Sequence, residues 1–189
     1  MMKLARLAAL ALAVPILQGC AAVAVTGMTT AALMASDRRT SGTYIEDETI
    51  EWKVVGSLKD RFPGSHANAT SFNRRVLLTG EAPNEDARKQ IEDAVKRIPN
   101  VREVVNELQV AAPSSLTARG NDALITSNVK ARMVNNGKFS TNHIKVLTEA
   151  NVTYLMGLVT TAEGDAAVEI ARTTQGVSRV VKVFEYLPS

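Results

Sequence analysis

Apolar residues recur at every fourth position in two separate places, Ile50, Val54 and Leu58, then Ile125, Val129 and Met133. That spacing lines up one face of a helix, and the two sets lie 75 positions apart. Further on, VLLTG (76–80) matches TYLMG (153–157), Ile91 and Ala94 match Val168 and Ala171, and NVREVVNEL (100–108) matches GVSRVVKVF (176–184). The offsets are 75, 77 and 76, so small length changes fall in loops. A duplicated unit explains this pattern.

Each copy predicts the same order of elements. An amphipathic helix comes first, with Asn121 and Asp122 placed as its cap in the second copy. Two short strands follow, roughly 67–73 and 75–79, then 143–148 and 152–156 in the second copy; Ile144, Val146 and Thr148 alternate, as do Val152, Tyr154 and Met156. A second helix opens at Asn84 in one copy and at the capping box Thr160-Thr161-Ala162-Glu163 in the other. A valine-rich strand closes each copy, 101–110 and 177–187. The predicted fold is α+β: two tandem α-β-β-α-β sandwich domains, each a mixed three-stranded sheet with two helices on one face. The domains span 47–110 and 117–189, joined by a small, proline-broken linker at 111–116.

Ahead of them, Lys3 and Arg6 precede an eleven-residue apolar run from Leu7 to Leu17, too short for a helix to cross ~30 Å of hydrocarbon. This is the layout of an export signal over 1–19. The only cysteine, Cys20, follows it directly, with no second thiol to pair with. Leu17-Gln18-Gly19-Cys20 resembles a lipobox, which implies cleavage before Cys20 and acylation of its thiol and amine; the alternative is an ordinary export signal with an incidental cysteine. At ~0.8 kcal/mol per buried methylene, three acyl chains would hold the protein on a membrane. By the same resemblance, Ala21 in place of an aspartate implies the outer membrane. Residues 20–46 form the tether, and their apolar part, 21–35, is read either as an extended segment or as a helix lying on the bilayer.

The glycine-ended strands (LLTG, LMG), the second helices and the V-x-x-V-V runs resemble two BON domains. With LQGC ahead, and with DRRTSG (37–42) and NDALIT (121–126), the whole chain resembles the dual BON-domain outer-membrane lipoproteins of Gram-negative bacteria. That resemblance implies a lipid-anchored protein facing the periplasm, a role in envelope integrity, and binding of anionic phospholipid.

Charge refines this picture. Without residues 1–19 the chain keeps 20 Lys+Arg against 19 Asp+Glu, a net charge of +1, so nucleic acid is not an expected partner. Residues 47–110 carry −1 and residues 117–189 carry +2; Lys130, Arg132, Lys138 and Lys145 fall in the acid-free segment 123–148. Leu124 lies off the core stripe. Leu124 with these four cations is the candidate phospholipid site, because an exposed leucine can enter acyl chains while cations meet phosphates. The competing reading packs Leu124 under the linker or on the first domain. Trp52, also off the core stripe, is expected to pack against the other domain, with ligand stacking as the alternative.

Catalytic chemistry is not expected. His66 and His143 have no metal-ligand spacing around them and read as surface residues, so neither a metal nor a cofactor is expected. Glu46, Asp47, Glu48 and Glu51 read as acids favouring a helix start. Gly80 and Gly157 end strands and form no phosphate-binding loop. The expected function is non-enzymatic support of the envelope; an adaptor for an envelope or peptidoglycan-machinery protein is the alternative, and a periplasmic hydrolase the third.

Overall fold

The computed structural model describes residues 37–188; the export signal, Cys20 and the segment 21–36 lie outside the described residues. Both copies belong to one compact unit that starts at Arg38. In the first copy, helix α1 (Ser41–Arg61) leads to the hairpin β1 (His66–Phe72) and β2 (Arg75–Ala82), then α2 (Glu85–Lys96), β3 (Glu103–Asn106) and β4 (Gln109–Val110). In the second, α3 (Leu116–Val134) and a 3₁₀ turn at Thr141–His143 precede β5 (Ile144–Glu149), β6 (Val152–Val159), α4 (Thr161–Arg172) and β7 (Arg179–Tyr186). β1 and β5 run antiparallel to β2 and β6, while β3, β4 and β7 run parallel to them. This is the mixed α+β sheet predicted from sequence.

Alternation along the central strands decides what each face meets. Val76, Leu78 and Ala82 of β2 pack with Ile50, Val54 and Leu58 of α1 and with Ile91 and Val95 of α2. Leu155 and Val159 of β6 pack with Ile125, Val129 and Met133 of α3 and with Ala167 and Ala171 of α4. The intervening residues point the other way and meet across the two sheets: Phe72 and Leu77 join Tyr154, Met156 and Val183 in a third core. Burying five such side chains is worth on the order of 10 kcal/mol as an upper figure. The helices therefore lie outside and the sheets inside.

Polar pairs rim that third core, as in interfaces generally. Lys145 reaches Glu51 at 2.7 Å, Arg75 donates to the Phe184 carbonyl at 3.1 Å, and Arg102 pairs with Glu185. Burial alone would raise the Glu185 carboxyl, but Arg102 and Asn73 outweigh it and hold it below the usual range.

Several local expectations are corrected. α3 starts five residues before Asn121, capped by Ser115, whose hydroxyl accepts from the Ala118 amide. Asp122 is instead buried in mid-helix, where its carboxylate accepts from the amides of Ala150 and Asn151 at 2.9 Å each. α1 likewise starts at Ser41 with no acid in its first turn. Asp47 is buried and clamps the β1–β2 turn, and Glu51 accepts from the Ser71 amide, so neither serves the helix dipole. The strand at 101–110 is split, because Leu108 turns into the core and the Asn106 side chain takes its amide proton. The caps at Asn84 and Thr160 form as predicted, the latter as a full capping box with Glu163.

Gly80 and Gly157 are required by close approach. A Cβ on Gly80 would lie 2.0 Å from the His66 carbonyl oxygen, and one on Gly157 would lie 2.4 Å from that of His143. Gly80 also sits at φ +101°, which side chains disfavour.

Candidate functional site

Helix α3 offers two apolar stripes. Ile125, Val129 and Met133 are buried together with Asp122. On the opposite side Leu116, Leu124 and Val134 are 82%, 64% and 67% exposed. At 3.6 residues per turn these three share about 80° of arc with the exposed Gly120 and Ala131. The small residues leave the larger ones standing proud. Asp122 is the one acid of the helix, so its outer face carries no negative charge.

Lys130 is exposed on the flank of this stripe, and Lys138 is exposed in the loop that follows the helix; neither makes an ion pair among the described residues. The structure thus leaves Leu124 and Lys130 both exposed on α3, six positions and about 120° apart, and places Lys138 beyond the helix end. It does not add the other two cations. The Arg132 guanidinium closes the end of α4, donating to the Ile170 carbonyl at 2.8 Å and to the hydroxyls of Thr174 and Thr173 at 2.6 and 3.0 Å. Lys145 is spent between the copies, on Glu51 and on the Ser71 carbonyl of edge strand β1. The packing alternative for Leu124 does not hold, since the side chain is largely exposed.

Leu116 and Val134 were not singled out in the sequence. Their signal was the i, i+8, i+18 spacing with Leu124, hidden by starting the helix at Asn121. Trp52 is likewise corrected: it is 77% exposed on α1, beside exposed Ile45 and Val55, and does not pack against the other domain. His66 and His143 are not surface residues. Their side chains are 17% and 15% exposed, and each faces a glutamate, Glu81 for His66 and Glu163 for His143.

The N-terminal approach to the folded unit is fixed by two arginines. Arg38 grips Glu163 of α4 through two hydrogen bonds of 2.7 and 2.9 Å and donates to the Leu158 carbonyl at 2.8 Å. Arg39 pairs with Asp47 at 2.7 Å and stacks over Phe72 at 4.1 Å from the ring centre. Among the described residues no helix is long and apolar enough to cross a membrane.

A BON-domain family model matches residues 46–112 and 121–188. The chain is 38% identical to outer membrane lipoprotein DolP of Haemophilus influenzae, over 97% of each chain. It is 32% identical to a 21 kDa hemolysin of Actinobacillus pleuropneumoniae, over 80% of this chain and 79% of that one. Osmotically-inducible protein Y of Escherichia coli is 26% identical, over 74% of this chain and 72% of that one.

Proposed function

Because the chain belongs to the BON-domain outer-membrane lipoproteins, we propose that it supports the envelope without catalysis, by resting the outer face of α3 on anionic phospholipid. The observation that carries this reading is the acid-free stripe of Leu116, Leu124 and Val134 with Lys130 on its flank. Each large apolar side chain moved fully out of water contributes roughly 1.5–3 kcal/mol. A lysine at an anionic surface contributes about 1 kcal/mol. The apolar term therefore leads, and the cation selects the headgroup. A surface term of this size is modest alone, but an acyl anchor on Cys20 keeps the membrane within reach.

A chain that begins at residue 20 with Cys20→Ser carries neither that anchor nor the apolar run Leu7–Leu17, so flotation with vesicles isolates the contribution of the fold. Phosphatidylglycerol vesicles are expected to carry it up the gradient, phosphatidylcholine vesicles much less. Adding Leu124→Asp or Val134→Asp should abolish flotation, and Lys130→Gln, which loses one positive charge, should weaken it about fivefold. Flotation that is unchanged in these variants would refute the site.

Exposure of Trp52 beside Ile45 and Val55 favours a second reading, in which the first copy holds an envelope protein partner. Tryptophan is a frequent anchor of protein interfaces. A partner captured by the wild-type chain and lost with Trp52→Ala, with vesicle binding intact, would support this role alongside the first.

A further inference from the structure

Where the two copies meet, His66, Glu81 and Glu149 converge. His66 opens β1, Glu81 is its cross-strand partner on β2, and Glu149 ends β5 in the other copy. His66 Nδ1 lies 2.8 Å from Glu81 Oε2 and 3.9 Å from Glu149 Oε1. One nitrogen of His66 and one oxygen of each carboxylate all fall within 4.8 Å of one another. The side chains are largely withdrawn from water, at 17%, 6% and 12% exposure.

Charge is out of balance in this cluster. Of the three side chains only His66 can carry positive charge. Two desolvated carboxylates thus face one imidazole, and a buried negative charge without a full counter-charge is costly. A divalent cation would supply it.

We propose that His66, Glu81 and Glu149 form a zinc site that ties the first copy to the second. One imidazole and two carboxylates suit zinc, whereas calcium and magnesium ask for more oxygen donors. Donors around tetrahedral zinc sit about 3.4 Å apart for bonds of ~2.0–2.2 Å, and the spacings of 2.8 and 3.9 Å bracket that value. Binding needs the Nδ1 lone pair: a neutral His66 moves its proton to Nε2, a protonated one releases its Nδ1 proton to solvent, and a water would complete four donors. Outer contacts already orient two ligands: the Ser114 amide donates to Glu81 at 3.1 Å, and the Asn68 side chain to Glu149 at 3.0 Å. The second copy has no such site, because Leu158 stands where Glu81 does.

The test is a zinc titration of the whole chain in detergent, with Cys20 acylated or changed to Ser so that no thiol competes. Saturable binding of one zinc per chain is expected. A hundredfold excess over Kd should raise Tm by roughly 5–10 °C, and calcium and magnesium should not. His66→Asn and Glu149→Gln should each weaken binding at least tenfold. Glu149→Gln removes a repelled charge and keeps the Asn68 bond, so it should melt no lower than wild type in chelator, which guards against a trivial folding defect. Absence of saturable zinc binding, or binding that survives either substitution, overturns the proposal.

Discussion

Asp47 and Asp122 stand 75 positions apart and do the same work in the two copies. Each is buried in a first helix and each takes both central amides of the hairpin turn beneath it, Asn73 and Arg74 for Asp47 at 2.8 and 2.7 Å, Ala150 and Asn151 for Asp122. Those turn residues all have φ between +49° and +62°. Two successive residues in that region make the tight hairpin turn that suits strand twist, and side chains other than Gly or Asn resist it. The carboxylate offsets this resistance and ties helix to sheet.

Removing the two acids is therefore expected to have unequal effects. Asp47 also accepts from the Ser71 hydroxyl at 2.6 Å and pairs with Arg39, a buried ion pair that Asp122 lacks among the described residues. Asp122→Ala should cost about 2 kcal/mol and Asp47→Ala about 4 kcal/mol, since the latter also removes a buried ion pair and the Ser71 hydroxyl bond. Urea denaturation of each variant measures the difference.

Arg132 separates a structural cation from a membrane-facing one. Its three bonds close the end of α4, so Arg132→Ala should cost about 1–2 kcal/mol and leave vesicle flotation of the unanchored chain near wild type. Lys130→Glu should show the reverse, weaker flotation with an unchanged Tm. Paired melting and flotation curves on the two variants check both halves.

Acid should loosen the grip of Arg38. The Arg38 guanidinium, aided by Thr160 and opposed by burial, holds the Glu163 carboxyl down from 4.5 to about 2. A carboxyl depressed by folding adds stability above its unfolded value and loses it as pH falls through the folded one. The stability gap between wild type and Arg38→Ala should thus be full above about pH 4.5, shrink below it, and close near pH 2. Denaturation at a series of pH values reads that gap directly.

These residues also mark how far the sequence can be read. Four-residue spacing and the match of Gly80 with Gly157 carried the order of elements, because core packing and close backbone approach restrict those positions in each copy alone. Asp122 looked like a cap because aspartate accepts backbone amides; its true donors are 28 and 29 residues away, and spacing does not encode that distance. Lys145 and Arg132 looked available because the glutamate and the helix end that hold them come from other elements. The run Val76-Leu77-Leu78 carried a sign of burial on both faces, yet what covered the second face was legible only once both sheets were in place.

The facing sheets turn an internal duplication into a covalently joined pair. Leu77 and Tyr154 occupy matching positions in the two copies and meet in one core, so each half supplies the cover that the other lacks. Five residues of linker, from Ala111 to Ser115, make that encounter intramolecular and keep the effective concentration of one half around the other high. A solitary copy would present the same bare sheet to whatever strands it met first, and the ancestor of this chain would have had to find its own twin.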